Sequence, residues 1–185
     1  ERWSPYTLFR KPPRAAATVV DGFLWIEAED FADYGDWRLD TQFAQQMGSA
    51  YLIAAGVGRP IADAATEVQV PRAGRYRLWV RARNWIREHA PGTFAVSVNG
   101  VRAAHVFGAA DSEAWIWESA GEFDLPAGAV KLALHDLTGY FGRCDALLLT
   151  RDLAYTPPSD LAPLQQERSR FSGVSLEPAA EGEFD

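Results

Sequence analysis

Cysteine is almost missing from this chain of 185 residues: Cys144 stands alone, so no internal disulfide and no thiolate metal cluster can form. Histidine is scarce too. His89, His105 and His135 lie far apart and show no metal-ligand spacing, which argues against a zinc site. Positive charge is in deficit. Eighteen Lys and Arg face 25 Asp and Glu, a net charge of −7, which argues against nucleic acid or an anionic membrane as a general partner. No run of about 18 apolar residues occurs, so no stretch reads as a membrane-spanning helix. The first residues, Glu1-Arg2-Trp3-Ser4-Pro5, lack the apolar core of a signal peptide; a removed leader stays open, and with it a secreted or periplasmic location. Neither a Gly-x-Ser-x-Gly elbow nor a P-loop is present. Gly56-Val57-Gly58-Arg59-Pro60-Ile61-Ala62 nearly matches a dinucleotide fingerprint, but Pro60 and a following strand take the place of the required helix.

What is plentiful is apolar and aromatic. Hydrophobic residues make up 48% of the chain, enough for a sizeable core, and there are seven Trp. A core of this size does not need so many, so some are expected to serve a surface. Cys144, in Cys144-Asp145-Ala146-Leu147-Leu148-Leu149, reads as a small buried hydrophobe.

Residues 1–21 read as an extended arm, with Lys11-Pro12-Pro13-Arg14 biased away from helix. Short strands with turn signals between them then run to Arg151. The clearest is Arg75 to Arg83. Tyr76, Leu78, Val80 and Ala82 face one way, and Arg75, Arg77, Trp79, Arg81 and Arg83 face the other, which reads as a solvated face. Asn99-Gly100 marks a hairpin turn. The pattern predicts an all-β fold, a jelly-roll β-sandwich over 22–152. Residues 153–185 read as a linker with a short helix at Leu161 to Arg170, capped by Ser159 or Asp160. A chain stopping in such a linker suggests a domain cut from something longer.

Two features suggest chemistry. Trp25-Ile26-Glu27-Ala28-Glu29 reads as a strand that puts Glu27 and Glu29 on one face. Two like charges so close either remain solvated on an edge or gather a hard cation such as Ca²⁺. The second feature is a set of aromatics at expected loop ends: Trp37, Trp85, Trp115, Trp117, Tyr140 and Phe141. Flat amphipathic rings suit stacking on the C–H face of a sugar or packing at a protein interface; capping of the sandwich ends is the alternative.

Several segments, taken in order, carry a resemblance. They are Glu27-Ala28-Glu29, Gly48-Ser49-Ala50-Tyr51-Leu52, Val70-Pro71-x-Ala73-Gly74-x-Tyr76-x-Leu78-x-Val80-Arg81, Val98-Asn99-Gly100, Leu125-Pro126-Ala127-Gly128 and Asp145-Ala146-Leu147-Leu148-Leu149. The order resembles the galactose-binding-like β-sandwich carbohydrate-binding modules of families 6 and 35, over roughly Phe23 to Arg151. The resemblance implies a structural Ca²⁺ held by Glu27, Glu29 and Asp145. It also implies a carbohydrate ligand in the loops at one end of the sandwich. Trp85 with Trp115 or Trp117 would stack on the sugar, Tyr140 is a further candidate, and Asn84, Arg87 and His135 would bond its hydroxyls. The implied role is non-catalytic: targeting of a covalently linked catalytic domain to a polysaccharide.

A second likeness is to the sandwich domain that precedes an FAD-dependent oxidoreductase domain in some bacterial proteins. It rests on Trp79-Val80-Arg81-x-Arg83-Asn84-Trp85, Trp115-Ile116-Trp117 and His135-Asp136-Leu137-Thr138-Gly139-x-x-Gly142-Arg143-Cys144-Asp145. It implies a structural or interface domain without glycan binding. An autonomous lyase or glycosidase would need a nominated carboxylate pair, and none stands out.

Overall fold

The computed structural model describes residues 18–20 and 22–172. Most of the expected N-terminal arm, including Lys11 to Arg14, lies outside the described residues, as does the polar segment at 177–183. The described end of the arm is a strand, β1 (Thr18–Val20), paired antiparallel with β2 (Phe23–Glu27).

Alternating sequence and turn chemistry produce the remaining strands: β3 (Arg38–Asp40), β4 (Tyr51–Ala54), β5 (Ala64–Val70), β6 (Gly74–Arg83), β7 (Phe94–Val98), β8 (Val101–Arg102), β9 (Trp115–Leu125), β10 (Gly128–Asp136) and β11 (Gly142–Thr150). Asn99 and Gly100, at φ 49° and 79°, make the tight turn between β7 and β8. Trp115 to Leu125 forms one long strand, with a register shift opposite Leu78 and Trp79.

The strands form two antiparallel sheets, so the all-β sandwich expected from the sequence is present. In the larger sheet β11 is central. It pairs with β6 along one edge; along the other, β2 takes Ala146–Thr150 and β4 takes Gly142–Cys144. β9 lies beyond β6 and β3 beyond β4. The smaller sheet runs β5-β10-β7-β8. Leu24, Ile26, Leu78, Val80, Leu147 and Leu149 pack against Val68, Val96, Val98, Leu132 and Leu134 between the sheets. Burying each of these side chains stabilises the fold by roughly 1.5–3 kcal/mol.

Every residue of β11 is buried, on both faces of the sheet. The reason lies after the last strand. The chain folds back, and helix α2 (Leu161–Ser172) covers the outer face of the large sheet. Leu164 and Phe171 of α2 pack on Phe23, Trp25, Trp117, Ala146 and Leu148. The Phe171 ring stacks on Trp25 at 5.3 Å, and Trp117 meets Trp25 edge-on at 5.2 Å. The stretch after Asp152, read as a linker, is thus packed against the sandwich as far as the helix.

This layer corrects the reading of the arginine row on β6 as a solvated face. Arg81 is 2% exposed, because the returning segment shields that side of the strand from water. Arg77 is half-buried, with Nη1 donating to the Leu153 carbonyl and Nη2 2.7 Å from Glu122 Oε1. A third apolar cluster, Met47, Tyr51, Ile53 and Trp115 with Phe43 and Phe141, lies beside helix α1 (Ala44–Met47), which the sequence reading missed. Both added layers consume tryptophan, and so account for much of the surplus.

Candidate functional site

The acidic pair at the start of the sandwich is built differently from the sequence expectation. β2 ends at Glu27, and Ala28–Asp30 is a 3₁₀ turn, so Glu29 is not the next outward residue of a strand. The outer face of β2 carries Phe23, Trp25 and Glu27, and the Trp25 indole N–H donates to Glu27 Oε1 at 2.8 Å. β11 brings Asp145, fully buried, into the same cluster. Glu27 and Asp145 thus share one guanidinium, that of Arg168, and the Glu29 carboxyl lies near enough to feel both of their charges.

Two guanidinium groups are already among them. Arg168 of α2 places Nε 3.0 Å from Glu27 Oε1, and Nη2 3.2 Å from Glu27 Oε2 and 2.8 Å from Asp145 Oδ2. Its Nη1 donates to the Met47 carbonyl. Arg81 of β6 places Nη1 2.7 Å from Asp145 Oδ2, and the Ser49 hydroxyl donates to Asp145 Oδ1 at 3.0 Å. Burial pushes both glutamates up. For Glu27 the Arg168 charge opposes that push; for Glu29 the Glu27 charge adds to it, and the carboxyl is pushed up to about 9. Burial lowers the Arg81 pKa, with Asp145 opposing.

A calcium ion needs six to eight oxygens at about 2.3–2.6 Å. Here both Glu27 oxygens and Asp145 Oδ2 are bonded to guanidinium, and of the cluster's carboxylate oxygens Glu29 Oε2 is buried without a hydrogen-bond partner among the described residues. Among the described residues no group of three His, Cys, Asp or Glu is arranged to hold a metal ion. The residues as arranged do not fit calcium.

The expected ligand residues separate into three places. Asn84 (1% exposed), Trp85 and Arg87 form the loop after β6, at the end of the sandwich where the 55–63 and 137–141 loops also meet. Asn84 is spent on that loop. Its Nδ2 donates to the carbonyls of Ala110 and Arg87, and its Oδ1 accepts from the Ile86 amide. Trp85 donates its indole N–H to the Tyr140 carbonyl at 2.9 Å, meets Phe141 edge-on at 5.6 Å and lies under the Arg143 guanidinium at 5.4 Å. Arg87 is exposed beside Glu88 and Asp111. Tyr140 is 48% exposed at the crest of its loop.

That crest is held from below. Asp136 at the end of β10 accepts from the amides of Ile61, Thr138 and Gly139 at 3.0–3.2 Å, tying the two loops together. Gly139, at φ 71°, sits so close to Arg59 that a Cβ there would lie 2.2 Å from the Arg59 carbonyl oxygen. His135 is elsewhere, on the outward face of the small sheet, with Nδ1 2.7 Å from Asp63 Oδ2 and Nε2 2.8 Å from Ser97 Oγ.

Trp115 and Trp117 are corrected as stacking candidates. They are 5% and 8% exposed. Trp117 lies under α2 and donates to the Pro158 carbonyl, and Trp115 packs edge-on against Tyr51 at 4.9 Å. Both point to the outer face of the large sheet, which the returning C-terminal segment and the α1 region cover. Arg168, Arg81 and Ser49 were missed as members of the acidic cluster. The one signal for Arg168 is spacing: Leu164, Arg168 and Phe171 share one helix face.

No protein-family model matches the chain, and no curated protein matches it. Solved structures do. One is a Podospora anserina GH26-CBM35 β-(1,4)-mannanase, 23% identical over 75% of this chain and 29% of its own, with a TM-score of 0.57. This chain thus spans under a third of that enzyme's length. A family 35 carbohydrate-binding module from Clostridium thermocellum is 24% identical over 69% of this chain and 96% of its own, with a TM-score of 0.52. The C-terminal CBM6 of LamC from Zobellia galactanivorans is 15% identical over 70% of this chain and 99% of its own, also with a TM-score of 0.52. These likenesses establish the architecture: the chain has the β-sandwich fold of family 35 and family 6 carbohydrate-binding modules.

Proposed function

We propose that this domain is a non-catalytic carbohydrate-binding module whose ligand lies at the loop end of the sandwich, on the exposed ring of Tyr140. The observation that carries this is a half-exposed aromatic on a braced loop: Tyr140 is 48% exposed while Asp136 anchors the backbone beside it. A ring held still before the sugar arrives loses little entropy on stacking. Arg87, exposed on the adjoining loop with Trp85 at its base, supplies polar contact to hydroxyls. Among the described residues, the outward face of the small sheet presents Glu67, Gln69, Ser97, Arg102, Lys131 and His135 and no aromatic ring other than imidazole, so it offers no comparable platform. Linked to a catalytic domain, such a module raises the local concentration of polysaccharide at that domain.

Affinity electrophoresis and calorimetry against a panel of soluble polysaccharides test this. Binding by the wild type and a loss of roughly tenfold or more in Tyr140→Ala are expected. No binding to any glycan, or binding unchanged in Tyr140→Ala, would overturn the assignment and favour a structural role beside a partner domain.

A further inference from the structure

We infer that Arg168 takes the place of a metal ion in this sandwich: the carboxylate cluster at the junction of the first and last strands is neutralised by the chain's own C-terminal helix, and the domain folds without calcium. Three observations carry this.

The first is occupancy. The Arg168 guanidinium bridges both oxygens of Glu27 and one of Asp145, in the fork geometry that suits carboxylates, and also takes up the Met47 carbonyl. Carboxylate and carbonyl oxygens are the donors a hard cation would use. Arg81 holds Asp145 from the other side, with both side chains shut away from water at 3% and 0% exposure. A cation entering here meets two fixed positive charges and must displace one.

The second is that the guanidinium is delivered by packing rather than chance. Leu164 and Phe171, four residues before and three after Arg168, dock α2 on Trp25, Trp117 and Leu148. That docking fixes the helix rotation and turns Arg168 toward Glu27 and Asp145. Its side chain is 12% exposed. A surface arginine with free rotamers could not substitute for a coordinated ion; a docked one can.

The third is connectivity. A metal at this site would join β2 to β11. Arg168 joins the same two strands and adds α1 through Met47 and α2 through itself. The helix and the cluster thus form one unit, and calcium becomes useful only if the helix charge is removed.

The test is thermal unfolding of the full chain in EDTA and in millimolar calcium, beside a calcium determination by mass spectrometry on the metal-equilibrated, dialysed protein. The wild type is expected to hold no stoichiometric calcium and to melt at the same temperature in both buffers. One bound calcium per chain, or a melting temperature several degrees lower in EDTA, overturns the inference. Arg168→Met keeps the apolar stem and removes the charge. It is expected to lower Tm in EDTA by on the order of 10 °C and to regain part of that loss in calcium. A variant with unchanged Tm overturns the inference. Should Arg168→Met fail to fold, Arg168→Lys, which keeps the charge but loses the fork, is read in its place. It should melt below the wild type, and an unchanged Tm would again count against the assignment.

Discussion

Arg168 Nη2 lies 2.8 Å from Asp145 Oδ2, so a helix that follows the sandwich in sequence is pinned to its last strand. Asp145 is the centre of that arrangement, because it also accepts from Arg81 and from Ser49.

Asp145→Ala should be among the most damaging single changes in the domain. It leaves Arg81 buried at 3% side-chain exposure with no carboxylate partner. Breaking a buried pair in this way costs about 3–5 kcal/mol. Urea unfolding would measure it. A loss under about 1 kcal/mol, the size of a surface pair, would mean the cluster does not bind the two ends together.

Phe171→Ala should loosen the helix without unfolding the sheets. Phe171 is 1% exposed and stacks on Trp25, and truncating such a ring costs about 3–5 kcal/mol where the site cannot collapse. Limited proteolysis should then cut within residues 156–172 long before the strands are attacked. Equal rates of cleavage in variant and wild type would show that α2 is held by something else.

Stability should fall as the solution becomes alkaline. Burial and the Glu27 charge push the Glu29 carboxyl up to about 9 from an ordinary 4.5, and Asp145 and Arg168 also face it. The folded state therefore keeps a proton that the unfolded chain gives up. The contribution is whole below about pH 4.5 and is lost as pH rises through about 9. Glu29→Gln mimics the protonated form, so its Tm should exceed that of the wild type at alkaline pH and the slope should flatten. Parallel slopes for the two proteins would refute the assignment to Glu29.

At the loop end, Gly139→Ala should abolish glycan binding. The residue sits at φ 71°, and an added Cβ would meet the Arg59 carbonyl at 2.2 Å. The loop carrying Tyr140 must move, at a cost on the order of 1–3 kcal/mol. Calorimetry and thermal melting together would separate lost ligand contact from global unfolding. Retained affinity would show that the crest is not where the sugar lies.

Trp117→Phe makes the opposite prediction. The ring is 8% exposed, and its indole N–H is bonded to the Pro158 carbonyl. Tm should drop by a few degrees through lost packing and one lost hydrogen bond, while glycan affinity stays the same. A selective loss of affinity would return Trp117 to the ligand site.

Much of the sandwich could be read from residues alone. Tyr76, Leu78, Val80 and Ala82 alternate with polar neighbours, and they do face the core between the sheets. Asn99-Gly100 turns where a turn was expected. The resemblance implied that Glu27 and Glu29 lie beside Asp145, and in the fold Glu27 and Asp145 share the Arg168 guanidinium while Glu29 feels both charges. The sequence misled where a face was judged by its own strand. Arg81 and Trp117 sit at outward positions of β6 and β9 that a polar-outside rule assigns to water. They are buried because Leu164 and Phe171 arrive from a segment beyond the last strand.

Alternation, turn residues and the scarcity of cysteine thus determined a β-sandwich held by packing, since each depends only on neighbours along the chain. Tertiary structure decided what covers the outer sheet face and which cation meets the acidic cluster. Arg168 is 141 residues from Glu27, and no local period relates them. Only the docking of an amphipathic helix on Trp25 and Leu148 brings the charge within 3.0 Å of its partner.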